Sequence, residues 1–544
     1  MNCKILIFVF CLISSIAYSN TYYIHPKKGN DKNLGTDECK PWKTFENISK
    51  IKFKPGDIIS IASGFEVNGS LVLKNQKGSE NLPIIINSYK VKRSKSITAV
   101  INAKHFLNGI LLENCSFIKI ENIKIIANGG NKRAFEKKKS MRCGIQVTVS
   151  EPAISENIII NKVSISNIFY GNKGITRSAV EVKSANGTQS YGFGIRFISK
   201  IPNTSIKNVT VSNSSISNVG HTGIKFTGRK TSYIKNISLF GNTVSETGGP
   251  GIQMSNVKGG HVYNNTVNKS GNNDDSRKWG RGSGLWTWTC QDILIEKNKF
   301  ENANGPGDSA GLHIDYNCKN IIVQYNFSRN NAGGFCEILG NNYNCSYRYN
   351  ISVNDGYRIK GKNGAFQQGK LFWLSGYVGT NQKQKGPYNS YFYNNTMFVS
   401  DTILTKFTVG NSSRGVLIAN NIFHIMGKSK SVKGDQYRPE KSGKIIAKNI
   451  IFQNNLYLKE DNWPKIIGIQ DTNAFYGNAE FKNSGGTLMR DYTPTNINLI
   501  KNKGIIITKI PNDKLGLKQG LKVKEDILGN KINGIPDIGA IELN

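Results

Sequence analysis

Residues 282–340 read GSGLWTWTCQDILIEKNKFENANGPGDSAGLHIDYNCKNIIVQYNFSRNNAGGFCEILG. One pattern runs through them two and a half times. A glycine leads a short alternating segment: Gly284-Leu285-Trp286-Thr287-Trp288, Gly311-Leu312-His313-Ile314-Asp315, then Gly334-Phe335-Cys336-Glu337-Ile338. After each of the first two come a cysteine, an aliphatic run and an asparagine. These are Cys290, Ile293-Leu294-Ile295 and Asn298, then Cys318, Ile321-Ile322-Val323 and Asn326. Alternation at period two places Trp286, His313 and Asp315 on the face opposite the apolar residues.

The pattern spreads both ways. Gly144-Ile145-Gln146-Val147, Gly194-Ile195-Arg196-Phe197, Gly223-Ile224-Lys225-Phe226 and Gly251-Ile252-Gln253-Met254 precede it. Asparagine-terminated runs recur at Asn122, Asn161, Asn213, Asn242, Asn265, Asn298, Asn326, Asn350, Asn395, Asn421 and Asn455. Steps of 28, 24 and 26 residues separate Asn298 from Asn326, Asn326 from Asn350 and Asn395 from Asn421. Self-similarity at such a period signals a solenoid, and short β-branched segments without i, i+3, i+4 spacing make it a β-solenoid. The segment DYNCKNIIVQYNFSRNNAGGF at 315–335 and the tail GIPDIGAIE at 534–542 resemble rung motifs of the right-handed parallel β-helix superfamily of secreted carbohydrate-active enzymes. That resemblance implies an all-β, right-handed parallel β-helix. It leaves the reaction open, because hydrolases, lyases and epimerases share the scaffold.

The chain of 544 residues carries a formal charge of +36 and a pI of about 9.7, which calls for a polyanionic partner. Nucleic acid is set aside because residues 1–19 read as a signal peptide. Lys4 precedes the apolar run Ile5–Ile13, and Ala17 and Ser19 occupy the small positions before a cleavage point. The expected protein is therefore secreted or periplasmic, a monomer with no membrane anchor, acting on an anionic polysaccharide. Of nine cysteines, Cys3 and Cys11 fall in the signal, and an odd remainder argues against a complete disulfide framework. Cys115, Cys290, Cys318 and Cys345 read as buried thiols at one repeated turn position. No CxxC or HExxH occurs, so no zinc site and no cofactor is expected. The Asn-x-Ser/Thr sequons at Asn213, Asn326 and Asn350 coincide with the repeat and read as a structural ladder, not as glycan sites.

In chain order, residues 20–95 are expected to form an N-terminal cap with a short amphipathic helix over 41–51, and 96–456 to form the rungs. Residues 457–544 lose the ladder and are expected to form an irregular C-terminal cap. Three interruptions, at 131–142, 270–281 and 357–387, are basic, and insertions in a solenoid usually gather on the binding face.

Stacking the glycine-led segments makes an outward stripe: Gln146, Arg196, Lys225, Gln253, Trp286 and His313, with Thr227, Ser255, Trp288 and Asp315 two residues on. Counting from Gly334 turns Glu337 inward; counting from Gly333 turns it outward, beside the His313 or Asp315 column. A lone carboxylate inside the apolar column would cost several kcal/mol, which selects the register with Cys336 and Ile338 inside. Arg358 and Lys360 are read as the stripe's continuation. Aromatic faces stack on sugars, and Arg and Lys pair with sulfate or carboxylate. The stripe thus assigns Asp315, Glu337 and His313 to catalysis. It assigns Arg196, Lys225, Gln253, Trp286, Trp288, Arg358 and Lys360 to substrate.

Two carboxyl groups, one acid and one nucleophile or base, are the equipment of glycoside hydrolysis. Glu337 is the expected acid, with the apolar rung around Phe335 raising its pKa and Arg358 opposing the shift. Direct stacking of Asp315 on Glu337 would suit retention and diagonal placement inversion; the register leaves both open, with retention the expectation of the two. The reading is an endo-acting hydrolase of a sulfated polysaccharide, sulfated fucan first and carrageenan next. A polysaccharide lyase is the alternative, with Lys225, His313 or Arg358 as base and calcium at Asp274, Asp275, Asp308 or Asp315. A non-catalytic binder is the third. The polygalacturonase family is similar only at Arg358-Ile359-Lys360; its aspartate motifs are absent.

Overall fold

The computed structural model describes residues 19–92, 94–127, 141–169, 192–271, 282–305, 307–359, 368–379, 381–432, 447–460 and 470–543. The described strands form three all-parallel sheets of 15, 12 and 14 members. Through the body of the molecule, neighbours in each sheet are three strands apart in the chain, so the backbone visits the sheets in rotation. This is the right-handed parallel β-helix. Its inward columns are what the alternation dictated: Ile145, Ile195, Ile224, Ile252, Leu285 and Leu312 lie in direct register on successive rungs and are fully buried. Aromatic rings stack in the same interior, as with Phe197 on Phe226 at 4.7 Å between centroids.

From Ile234–Phe240 to Lys448–Gln453, the asparagine runs end the strands of the 15-stranded sheet with a two-residue corner. The first corner residue takes a positive φ, as at Lys297 (55°), Tyr325 (56°) and Tyr349 (50°). The second is the ladder asparagine. Each accepts from the backbone N–H and the side-chain amide of its predecessor: Asn298 on Asn326 (3.0 Å each), then Asn326 on Asn350 (2.9 and 3.0 Å). The same bonds join Asn242 to Asn265 and run on through Asn395 and Asn421 to Asn455. Asn122 and Asn213 depart from this. They hold the positive-φ position themselves (53° and 50°), and Ser214 takes the ladder place beside Asn242. Asn161 sits one residue earlier still, before Lys162 (φ 53°).

Because Asn326 is wholly buried, Asn326→Ala strands the Asn298 donors and the carbonyls of Ile295 and Gln324. At about 1–3 kcal/mol per unsatisfied group, a loss of about 3 kcal/mol is expected in urea unfolding. A loss below about 1 kcal/mol would show the ladder to be dispensable.

Cys115, Cys290 and Cys318 share the turn position, each after a positive-φ residue, and the Cys290 N–H donates to Cys318 Sγ at 3.4 Å. Cys345 does not join them. The pairing of Ile322 with Ser346 puts it on the Ile321 column instead.

Both expected caps are revised. Thr21–Ile24 pairs with Ile58–Ala62, which pairs with Ile84–Tyr89, so the coil already runs through residues assigned to the N-terminal cap. The expected helix is a single 3-10 turn, Ile48–Lys50. Before that turn, Asp31 accepts the backbone N–H groups of Lys43 and Thr44 at 2.9 Å. At the other end, Asp471–Thr472 and Phe475–Tyr476 still add to the sheets.

The described residues that follow run back along the outside of the coil. Ile505 bonds Asn420 (2.9 Å), Lys518 bonds Asn320 (3.2 Å) and the Glu525 carbonyl takes the Tyr325 hydroxyl (2.9 Å). The chain then returns to Thr396 through Ala540 (3.0 Å). A second apolar core fills the seam, with Ile322, Phe327, Tyr391 and Leu417 from the rungs against Ile500, Ile510, Leu517 and Ile538 from this strap.

Candidate functional site

The 12-stranded sheet carries the expected stripe on its outer face. Gln146, Arg196, Lys225, Gln253, Trp286 and His313 are consecutive Cα partners. The next pairing is Ile314 with Ile338, which brings Glu337 opposite His313. Cys336 and Ile338 pack in the main core, so Glu337 faces outward in the register chosen on desolvation grounds. Asp315 lies two residues along the His313 strand and is therefore diagonal to Glu337, at a Cα separation of about 7–8 Å by sheet geometry. Direct stacking of the two carboxylates does not occur.

Each side chain is held by local structure. His313 is buried, its Nδ1 3.1 Å from Ser283 Oγ and its ring 5.6 Å from that of Trp286. Glu337 is 6% exposed, and its carbonyl accepts the Tyr347 hydroxyl from the core side at 3.1 Å. Asp315 is half-buried; its Oδ1 accepts the Tyr316 N–H at 2.7 Å, and its carbonyl accepts the Asn342 side-chain amide at 2.6 Å.

Trp286 and Trp288 share a face as expected, but not an environment. Trp286 is 3% exposed and Trp288 37%, with the Tyr316 ring 5.9 Å away. Trp288→Ala is thus expected to raise KM roughly tenfold, the scale of a lost aromatic stack, and to leave the melting temperature unchanged. Trp286→Ala is expected to destabilise by about 3–5 kcal/mol, because it opens a cavity. Thermal melts beside KM measurements separate the two; equal melting losses would show that both are packing residues.

Arg358 is not on the next rung. That rung is Lys370–Leu374, inside the stretch read as an interruption, and Trp373 is the partner of Glu337. Arg358 lies in the connection before it, donating from Nη2 to the Asp308 carbonyl at 2.6 Å. Lys360, Asp274 and Asp275 lie outside the described residues, as do 1–18 and most of the first two basic interruptions. Sequence reasoning missed Trp373, the Lys370 ammonium 3.7 Å above its ring, Thr408 opposite it and Lys406 beside them. Burial, then Lys430 and Arg358, push the Lys406 pKa down to about 8. The signal was present in Gly369-Lys370-Leu371-Phe372-Trp373, but Leu371-Phe372-Trp373-Leu374 does not alternate. Among the described residues no group of three or more His, Cys, Asp or Glu could hold a metal ion.

The stripe therefore runs from buried cations, through Trp286, to His313 with Glu337 and diagonal Asp315, then to Trp373 and a second cationic cluster. No protein-family model matches the chain. The chain is similar to a lacto-N-biosidase of Bifidobacterium longum subsp. longum, 24% identical over an alignment that takes in 96% of this chain and 36% of that protein. It thus spans little more than a third of that relative's length. In three dimensions it is similar to the crystal structure of a GH136 lacto-N-biosidase from Eubacterium ramulus, with a TM-score of 0.52 and 18% identity, covering 75% of this chain and 68% of that one. The selenomethionine form of the same protein gives 0.51, 16%, 84% and 68%. These likenesses bear on the fold.

Proposed function

We propose that the chain is a glycoside hydrolase whose reaction is carried by Glu337 and Asp315, with His313 between them. The observation that carries this reading is the placement of Glu337 opposite His313 and diagonal to Asp315, in a column whose next members on either side are Trp286 and Trp373. Glu337, the more enclosed carboxyl group, protonates the leaving oxygen, and Asp315, with more solvent, activates water. The diagonal register suits the wider spacing of inverting hydrolysis. His313, positioned against Ser283, orients a carboxylate or a sugar substituent. The reading gains support from the relative named as a lacto-N-biosidase, which aligns with nearly the whole chain.

The net charge of +36 favours an anionic glycan, and a sulfated polysaccharide such as sulfated fucan or carrageenan remains the substrate we propose. Export through residues 1–19 belongs to the same reading, since such polymers lie outside the cell. The relatives' names favour a second substrate, a glycan carrying lacto-N-biose.

The test is incubation with sulfated fucan, carrageenan, an alginate and a lacto-N-biosyl oligosaccharide. New reducing ends without the ultraviolet absorbance of an unsaturated uronate are expected. That absorbance would make the protein a lyase, and binding without new ends would make it a binder. For a charged substrate, KM should climb steeply over a roughly tenfold rise in salt, because screened contacts hold the polyanion.

A further inference from the structure

The cationic end of the stripe contains a guanidinium with an unused edge. Arg196, on the strand Gly192–Ser199, is wholly buried, yet among the described residues its Nε and Nη2 meet no hydrogen-bond partner. Its Nη1 lies 2.9 Å from the Met141 thioether, a soft and weak acceptor. Its face lies on Phe193, with Cζ 4.4 Å from the ring centroid, and Phe193 packs with Cys143 and Met141 in a small cluster apart from the main core. Stacking and Met141 fix the plane of the guanidinium and leave the Nε–Nη2 edge as a two-donor fork.

The surrounding charge has the same sign. Lys225 is the direct partner of Arg196, its Nζ 5.5 Å from the same ring. The pKa of Lys200 is lowered by burial first and then by Arg196 and Arg229. Burial lowers the Arg196 pKa to about 10, and Cys143 acts on it in the other direction. A buried cation with two idle donors is a costly arrangement for stability alone, since buried polar groups ordinarily find partners.

We infer that the Nε–Nη2 edge of Arg196, with Lys225 beside it, is a subsite for one oxyanion substituent of the bound glycan, a sulfate ester or a uronate carboxylate. Either group matches the fork with two parallel N–H···O bonds, which an ammonium cannot offer. Arg196 lies four rungs from His313, or about 19 Å at the usual rung spacing. The subsite thus reads a substituent several sugar units from the bond that is cut. Entry requires the covering side chains to yield, and Met141, half-buried and unbranched, has the freedom to do so. This inference rests on the glycan-binding reading of the groove, but not on the hydrolytic roles of Glu337 and Asp315.

The test is equilibrium binding by the full chain of three oligosaccharides of equal length: sulfated fucan, the same material desulfated, and an oligouronate. The native protein is expected to prefer one charged form at least tenfold over the desulfated one, and which form it prefers identifies the substituent. Arg196→Gln should reduce that preference below twofold while leaving affinity for the desulfated form within twofold. Arg196→Lys, which keeps the charge and loses the fork, should lose most of it too, and decides the matter if the Gln variant does not fold. A preference that survives either substitution, or its absence in the native protein, would overturn the inference. Hydrolysis of a neutral glycan without charge preference would do so while leaving the hydrolase reading intact. Charge-selective binding abolished in Arg196→Gln, with no bond cleavage, would uphold the subsite and remove the hydrolase.

Discussion

Glu337→Gln and Asp315→Asn are each expected to fold normally and to lose at least about a hundredfold in kcat on the substrate that the glycan panel identifies, the scale of positioned acid–base catalysis. Both substitutions keep shape and remove a titratable proton. Glu337 is held from behind by the backbone: its carbonyl takes the Tyr347 hydroxyl, and its neighbours Cys336 and Ile338 are anchored in the core, so the amide should not disturb the rung. Asp315 Oδ1 accepts the adjacent Tyr316 N–H, a role that an Asn carbonyl can fill. The two variants should differ in pH dependence, Glu337→Gln removing the alkaline limb and Asp315→Asn the acidic limb of the rate profile. Turnover near that of the native protein in either variant would remove that residue from the pair. It would return Lys225 and His313 to consideration as bases of a lyase.

Removing the strap, residues 477–544, is expected to abolish soluble folded protein. The rungs beneath it are apolar outside as well as inside. Ile322, Phe327, Ile351, Tyr391, Leu417 and Ile422 are all buried in the core that the rungs share with the strap. At about 1.5–3 kcal/mol for each large side chain returned to water, the loss exceeds the net stability of an ordinary domain. Exposed parallel rungs would also be prone to aggregation. A soluble, cooperatively melting truncation would refute the seam.

The strap also has a pH-dependent end. Burial first, then Asp537 and Asp526, raise the Glu542 pKa from 4.5 to about 8. A carboxyl group whose folded pKa is raised stabilises fully below about pH 4.5, and that contribution is lost as the pH rises to about 8. Glu542→Gln should therefore flatten part of the melting-temperature decline between those limits; an unchanged decline would show that the strap does not sense this group.

The seam was visible in the sequence without being readable there. Ile293-Leu294-Ile295 and Ile321-Ile322-Val323 are continuous aliphatic runs, and a strand buried on both faces has that form. Leu294 and Ile322 pack against the strap. Nothing local to those runs says whether a strap, another chain or solvent lies outside. In the N-terminal stretch the helical pattern over 41–51 yields only the 3-10 turn Ile48–Lys50, and the entry to it is held by Asp31, a side chain ten or more residues away. The Lys370–Leu374 rung was lost among Gly- and Gln-rich neighbours because its outward partner is an aromatic, so polarity does not alternate.

By itself the sequence determined the coil, the identity of its inward columns, the asparagine ladder from Asn242 onward and the outward stripe from Gln146 to His313. All of these follow from period-two alternation and a repeat of near-constant step, both properties of neighbouring residues. The outward direction of Glu337 was also legible, because the alternative buries a charge. Tertiary structure alone decided that Glu337 faces His313 and lies diagonal to Asp315, that Trp373 and not Arg358 follows it, and that Trp286 is enclosed where Trp288 is open. Register between rungs depends on how many residues each turn and insertion consumes, and those lengths vary from rung to rung. Burial of an outward side chain depends on what the rest of the chain lays over it, which no local pattern records.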